Sequence, residues 1–328
     1  MHITAAIVGI PGPTLEPETA ELLRAGRPAG VILFGRNVQN PDQLRTLTAA
    51  LRAVLPERAV LMVDQEGGRV ARLRPPHWRA HPSAGQMAAL DPEAGLRAAW
   101  LSGALIGRDC ADAGFDVACA PVLDLRIAGM SEVIGDRSFG SDPETVTRLG
   151  RAMAEGLLAA GIQPVMKHLP GHGRARVDSH LALPVVDVSI EDDLRPFADN
   201  ADLPWAMTAH ILYPALDPLP PATLSRRIIA DVIRGAIGFD GVLVSDDLAM
   251  QALSGHPADR AVAALEAGCD LAMYCAGDHA ATKAVLSACA PLSGEAIRRL
   301  DVARGLARRR AITLDAATLA AEREFLLS

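Results

Sequence analysis

The sequence predicts a single (β/α)8 barrel with additional C-terminal helices, and three observations carry that prediction. Short apolar runs recur with helical patterns between them, the signature of a parallel sheet wrapped by helices. No Pro/Gly-rich linker divides the 328 residues, so 1–328 reads as one domain of a size that barrels commonly reach. Reactive polar residues fall at the ends of the apolar runs, the face on which such barrels carry their functional groups.

Taken in order, the candidate strands are 3–9, 30–34, 59–64, 116–120, 163–168, 205–210, 241–246 and 270–275. Helical patterns occupy 17–25, 41–54, 92–113, 143–160, 224–236, 259–267 and 278–289, with a shorter one near 189–200. Several end on a glycine just before the next strand, at Gly26, Gly114, Gly161, Gly238 and Gly268, where a left-handed residue stops a helix. Residues beyond Leu292 read as one or two terminal helices. Half the residues are hydrophobic but only 3% are aromatic, so the core must be aliphatic.

A formal charge of -7 disfavours a polyanion binder, and the basic run Arg308-Arg309-Arg310 sits near the C-terminus, so no nucleic-acid partner is expected. Met1-His2-Ile3-Thr4 has no cationic leader, and no stretch approaches the ~20 apolar residues of a membrane span. A soluble, cytoplasmic protein without membrane contact is the expectation; the sequence leaves the oligomeric state open. The five cysteines, Cys110, Cys119, Cys269, Cys275 and Cys289, are odd in number and form no CxxC pair. They read as buried free thiols rather than disulfides or zinc ligands.

Among the motifs, Lys167-His168-Leu169-Pro170-Gly171-His172-Gly173 followed by Asp178-Ser179-His180 is the most informative. It places several proton-handling groups in one loop at a strand end. A carboxylate beside an imidazole fixes its tautomer and stabilises its protonated form, so His180 is the candidate acid/base and Asp178 its orienter. For any one of these histidines alone, a polar surface loop is the plainer reading; the combination at a strand end favours function. A metal site built from His168, His172, Asp178, His180 and His210 is disfavoured because no HxH or HExxH pattern occurs, and no metal or other cofactor is expected.

Ser245-Asp246-Asp247-Leu248 ends the run Gly241-Val242-Leu243-Val244, so a carboxylate emerges at the barrel mouth. Asp247 suits a helix N-cap, which leaves Asp246 as the candidate nucleophile. In Asp64-Gln65-Glu66-Gly67-Gly68-Arg69-Val70-Ala71-Arg72, acids and arginines face each other across a Gly-Gly turn. Such groups can bind vicinal sugar hydroxyls, or they can form a structural ion pair, and spacing alone does not choose. The long loop after the fourth strand holds Ser131 to Gly140, including Arg137.

Together these segments, with Gly30-Val31-Ile32-Leu33-Phe34 and Gly135-Asp136-Arg137-Ser138-Phe139-Gly140, resemble glycoside hydrolase family 3 over most of the chain. Within it they resemble the single-domain bacterial β-N-acetylglucosaminidases of peptidoglycan recycling. The resemblance implies that Asp246 is the nucleophile, His180 the acid/base and Asp178 its support. It also implies that Asp64, Arg72, Arg137, Lys167 and His168 bind sugar, with Met250 near the pocket. The implied reaction is retaining exo-hydrolysis of terminal β-linked N-acetylglucosamine from a muropeptide fragment, through a covalent glycosyl-enzyme. The substrate-assisted hexosaminidase route uses an Asp-Glu pair; no such dipeptide occurs here. Arg174-Ala175-Arg176-Val177 is more basic than the family pattern leads one to expect. Transfer of the sugar to phosphate, a metal-dependent barrel hydrolase and a non-catalytic sugar-binding barrel stand as rivals.

Overall fold

A computed structural model describes residues 2–328 of the chain. Its eight parallel strands are β1 (Thr4–Gly9), β2 (Pro28–Leu33), β3 (Val60–Val63), β4 (Val117–Ala118), β5 (Gln163–Leu169), β6 (Trp205–Thr208), β7 (Val242–Val244) and β8 (Ala272–Tyr274). From β1 to β7 each pairs with its sequence neighbours, and β1 also pairs with β8. A parallel bridge between Val244 and Leu271 brings β7 against the start of β8 and completes the ring. This is the predicted (β/α)8 barrel, and all eight strands fall within the predicted runs to within a few residues.

The strands are apolar on both faces because both are covered. Ile7, Ile32, Met62, Val117, Val165, Met207, Val244 and Met273 point into the barrel, while their neighbours pack outward on helices. Trp205 fills the lower interior, and its indole N–H donates to Gln163 Oε1 at 2.9 Å, so the largest core side chain buries no unpaired polar atom.

The helices are α1 (Pro17–Gly26), α2 (Pro41–Val54), α3 (Ala84–Ala88), α4 (Pro92–Asp112), α5 (Pro143–Ala159), α6 (Glu191–Ala198), α7 (Pro257–Ala267), α8 (His279–Ala288), α9 (Gly294–Arg310) and α10 (Ala316–Leu327). Proline in the first turn of α1, α2, α4, α5 and α7 starts each where its missing N–H costs nothing. Helices α4 and α5 lie unusually close. A Cβ on Gly103 would collide with the Met153 carbonyl, and one on Gly156 with the Trp100 carbonyl, so glycine at both positions permits the approach.

Three local expectations are corrected. Gly114, Gly161, Gly238 and Gly268 take positive φ as predicted, but at the first helix the left-handed residue is Arg27, φ 46°. Gly26 is needed there for space instead, since a Cβ would lie 2.6 Å from Leu286 Cδ1. The helix expected over 224–236 begins at Arg226, where Ser225 Oγ caps it by accepting from Ile228 N, and from Ile228 to Ala236 it is wound as a wide π-helix. Third, α3 was not anticipated. Five residues are too few to show a period, although Ser83 and Gln86 form a reciprocal capping box that the sequence does display.

No helix among the described residues is long and apolar enough to cross a membrane. All five cysteines are buried and free, as expected.

Candidate active site

At the C-terminal mouth of the barrel lies a cleft of about 450 Å³, within the usual range for small-molecule sites. It is lined by Asp64, Arg72, Arg137, Lys167, His168, Asp178, His180 and Asp246, every residue to which the resemblance gives a catalytic or sugar-binding role, together with Met250. The topology explains the convergence. Asp64 follows β3, Arg137 sits in the β4–α5 connection, Lys167 and His168 end β5, and Asp246 follows β7.

One wall is an ion-pair network. Glu66 holds Arg137 in a two-pronged pair at 2.8 and 2.9 Å and accepts from Lys167 Nζ at 2.7 Å. Lys167 also reaches Asp64 at 3.3 Å, and Arg72 donates to the other Asp64 oxygen at 3.0 Å. Burial pushes the Asp64 and Glu66 carboxyls up, but the cations outweigh it and hold both below the ordinary carboxylate range. Burial lowers Lys167, yet Glu66 and Asp64 more than compensate and keep it protonated. The two readings of the Asp64–Arg72 pair therefore merge: it is an ion pair, and it lines the cleft. The guanidinium of Arg72 also stands 5.4 Å from the Phe34 ring, which adds an apolar edge.

Asp246 stands on the cleft floor. Its Oδ1 accepts from the Asp247 amide at 2.8 Å, which leaves Oδ2 free to face a ligand. Burial raises its carboxyl, but neighbouring His210, His168 and Lys167 and the Asp247 amide outweigh this and keep it ionised. Asp247 is not a helix cap: its Oδ1 accepts from the amides of Ala249 and Cys275 and ties the β7 turn to the end of β8. The following helix starts only at Pro257.

On the β5–α6 loop, His180 Nδ1 lies 2.8 Å from Asp178 Oδ1, which also accepts the His180 amide at 2.9 Å. Burial pushes Asp178 up, and these two bonds pull it below its usual value. The imidazole is therefore held through Nδ1, and Nε2 has no partner among the described residues.

The remaining histidines are occupied. His168 Nδ1 pairs with Asp124 at 2.6 Å, His172 Nε2 with Ser179 at 3.0 Å, and His210 with Thr223 at 2.7 Å and the Asp247 carbonyl at 3.0 Å. Among the described residues no group of three or more His, Cys, Asp or Glu is placed to hold a metal ion. Nor are Glu66 and His210, two other titratable groups close to the cleft, placed for proton transfer. Glu66 is clamped between two cations, and both ring nitrogens of His210 are already engaged, by Thr223 and the Asp247 carbonyl.

Sequence reasoning missed Asp124. This fully buried carboxylate accepts from the His168 ring, the His168 amide at 3.2 Å and the His172 amide at 2.6 Å, and so anchors the root of the loop that carries His180. Its signal was a lone acid inside the apolar run Ala118 to Leu125, since a buried charge requires partners.

The profile of the Glycosyl hydrolase family 3 N terminal domain matches residues 6–303. A protein named beta-hexosaminidase from Alkalilimnicola ehrlichii is 44% identical over 286 residues, 84% of this chain and 81% of that protein. Another of that name from Pseudomonas aeruginosa is 41% identical over 314 residues, covering 91% and 90%. Among solved structures, NagZ from Neisseria gonorrhoeae in complex with N-trifluoroacetyl-D-glucosamine superposes with a TM-score of 0.89 at 31% identity, over 100% of this chain and 99% of the other.

Proposed function

Because the chain belongs to glycosyl hydrolase family 3, we propose that it is a β-N-acetylhexosaminidase that releases terminal β-linked N-acetylglucosamine with retention, from cell-wall muropeptide fragments carrying a 1,6-anhydromuramyl end. The observation that carries the reading is the sharing of one cleft by an ionised strand-end carboxylate, Asp246, and an imidazole held through Nδ1 by Asp178.

In the first step Asp246 Oδ2 attacks the anomeric carbon as the glycosidic bond breaks, and the leaving oxygen takes the proton from His180 Nε2. Asp178 keeps that nitrogen, rather than Nδ1, directed at the bond and stabilises the imidazolium before transfer. In the second step neutral His180 takes a proton from water, the hydroxide attacks the anomeric carbon, and the Asp246 carboxylate departs. Two inversions give net retention. Asp64, Arg72, Arg137, Lys167 and His168 bind the sugar hydroxyls and acetamido group through donors and acceptors fixed in advance by their own ion pairs. A cytoplasmic site of action and organisation of residues 1–328 as one domain belong to the same reading.

The test is release of N-acetylglucosamine from a 1,6-anhydromuropeptide and from an aryl N-acetylglucosaminide, with the product anomer followed by NMR in the presence and absence of phosphate. Initial formation of the β-anomer in either buffer supports the reading. A sugar phosphate as the main product points to phosphorolysis, and an α-anomer to inversion. A mechanism-based fluorinated sugar should label Asp246.

A further inference from the structure

The C-terminal helix α10 is docked in an unusual way. Its buried residue is Arg323, only 3% exposed, rather than a leucine. Arg323 Nη1 lies 2.8 Å from His81 Nδ1, and Nη2 donates to the Ala80 carbonyl at 3.1 Å, while Nε has no partner. A guanidinium only donates, so His81 Nδ1 must carry the lone pair and Nε2 the hydrogen. That hydrogen goes to Asp109 Oδ2 on α4 at 3.0 Å, and Asp109 is paired on its other oxygen with Arg79. Burial keeps His81 neutral, in agreement with this tautomer. Arg323 therefore spends its charge on a neutral ring and a carbonyl, with no carboxylate in direct contact.

What this arrangement supports is the ion-paired wall of the cleft. The His81 carbonyl accepts the Gly68 amide at 2.9 Å, and Gly67 and Gly68, at φ 100° and 54°, turn directly over Pro82 and Ser83. The turn closes through Glu66 N to Val70 O at 2.9 Å, which aims Glu66 at Arg137 and Lys167. Just beyond, α3 packs beneath the turn Gly135–Arg137, with a Cβ on Gly85 reaching Asp136 at 3.4 Å. One short segment, 80–85, thus underlies both partners of the Glu66–Arg137 pair.

We infer that Arg323, acting through the His81 ring, is a positioning residue for the sugar-binding wall, so that the last helix of the chain sets substrate affinity at a site it does not touch. This rests on the reading of that wall as the sugar-binding side. The link runs from Arg323 to His81, through the Gly67–Gly68 turn to Glu66, and from there to Arg137 and Lys167. Asp246 and His180 stand on other elements and lie outside it.

The experiment measures kcat and KM on an aryl N-acetylglucosaminide for Arg323→Met and His81→Leu, with thermal melting alongside. Arg323→Met keeps bulk and removes the charge, so a purely structural dock survives it. The inference expects a folded variant with KM raised at least about fivefold and kcat within about twofold, the pattern of lost binding rather than lost chemistry. The double variant should be no worse than the poorer single one, since both cut the same link. If Arg323→Met does not fold, Arg323→Lys, which retains the charge but reaches only one of the two acceptors, should show a smaller rise in KM. A folded Arg323 variant with unchanged KM, or additive losses in the double variant, overturns the inference. Wild-type enzyme without turnover on this substrate would instead count against the proposed activity, so the two failures are distinguishable.

Discussion

On the β3–β5 side of the cleft, the side chains of Lys167 and Glu66 are 3% and 6% exposed, and each is held by at least two oppositely charged groups. Across the mouth, the side chain of His180 is 63% exposed and has one side-chain partner, on a loop outside any strand or helix. The difference follows from what each part must do. Groups that recognise fixed hydroxyls gain from being ordered before the ligand arrives. A group that gives up a proton and later reclaims one from water must be reachable by solvent between steps. On the proposed reading, binding is therefore built into the barrel, and proton transfer is hung beside it.

The sharpest way to break this comparison is at the point both sides serve. Asp246→Ala should lower turnover by at least about 10,000-fold, since removal of a covalent nucleophile cannot be compensated by its neighbours. Circular dichroism and the melting temperature should stay close to wild type, because the carboxylate lies at a strand end and not in the apolar core. Near-normal turnover would remove Asp246 from the mechanism.

His180→Ala tests the exposed side alone. The expected loss is about 100- to 10,000-fold on a natural disaccharide linkage and much less in the glycosylation step of a nitrophenyl glycoside, whose leaving group departs unprotonated. Azide should partly restore turnover on the activated substrate by replacing the water that His180 no longer deprotonates. Asp178→Ala should follow the same pattern more mildly. Equal losses on both substrates would make His180 a binding residue and blur the division between the two sides.

Arg137→Ala tests the buried side. Removing one partner leaves Glu66 a buried carboxylate with Lys167 as its remaining partner, and unfolding by urea should register a loss of about 3 to 5 kcal/mol. Asp64→Ala should cost less, about 1 to 3 kcal/mol in kcat/KM, through lost hydrogen bonds to sugar. If either substitution lowered kcat and left kcat/KM on poor and good leaving groups differently affected, the wall would be taking part in proton transfer.

A pH titration sharpens the comparison within a single loop, whose root is buried and whose tip is not. Burial, with His168 beside it, pushes His172 down to about 4. Its folded value lies below the ordinary histidine value near 6.5, so the unfolded chain takes up the proton first as pH falls. Stability from this residue is present above pH ~6.5, declines as pH drops toward ~4 by roughly 3 kcal/mol, and then levels off. His172→Gln, which retains a donor toward Ser179, should flatten that part of the stability–pH curve. An unchanged slope would place the acid sensitivity elsewhere.

How much of this was legible in the sequence depended on whether a feature is local. All eight strands were readable because a strand covered on both faces is an uninterrupted apolar run bounded by turn residues. Asp64, Lys167 and Asp246 were readable because each ends such a run, and Asp178 and His180 because their partnership spans only two positions. Asp124 was missed because its partners lie 44 and 48 residues away. The choice between ion pair and sugar ligand at Arg72 was likewise open, since it turns on a cleft assembled from strands far apart in the sequence. Ser225 set the start of the next helix at 226, two residues late, through a single hydroxyl, an event no periodicity registers, and Arg27 took the left-handed turn next to a glycine that was needed for space.

The seam between α4 and α5, where Gly103 and Gly156 let two backbones touch, has a consequence for how the molecule opens. Helices in such contact cannot part by small rotations of side chains; the seam either holds or comes undone together with β4 and β5, whose mouths carry Asp124 and His168. Amides along this seam are therefore expected to exchange with solvent deuterium only on global unfolding, and those of residues 173–188, outside any strand or helix, through local openings, which hydrogen–deuterium exchange would check. On the proposed reading, that exchange pattern would let the His180 loop open many times within the life of one folded molecule while the wall proposed to hold the sugar stays in place.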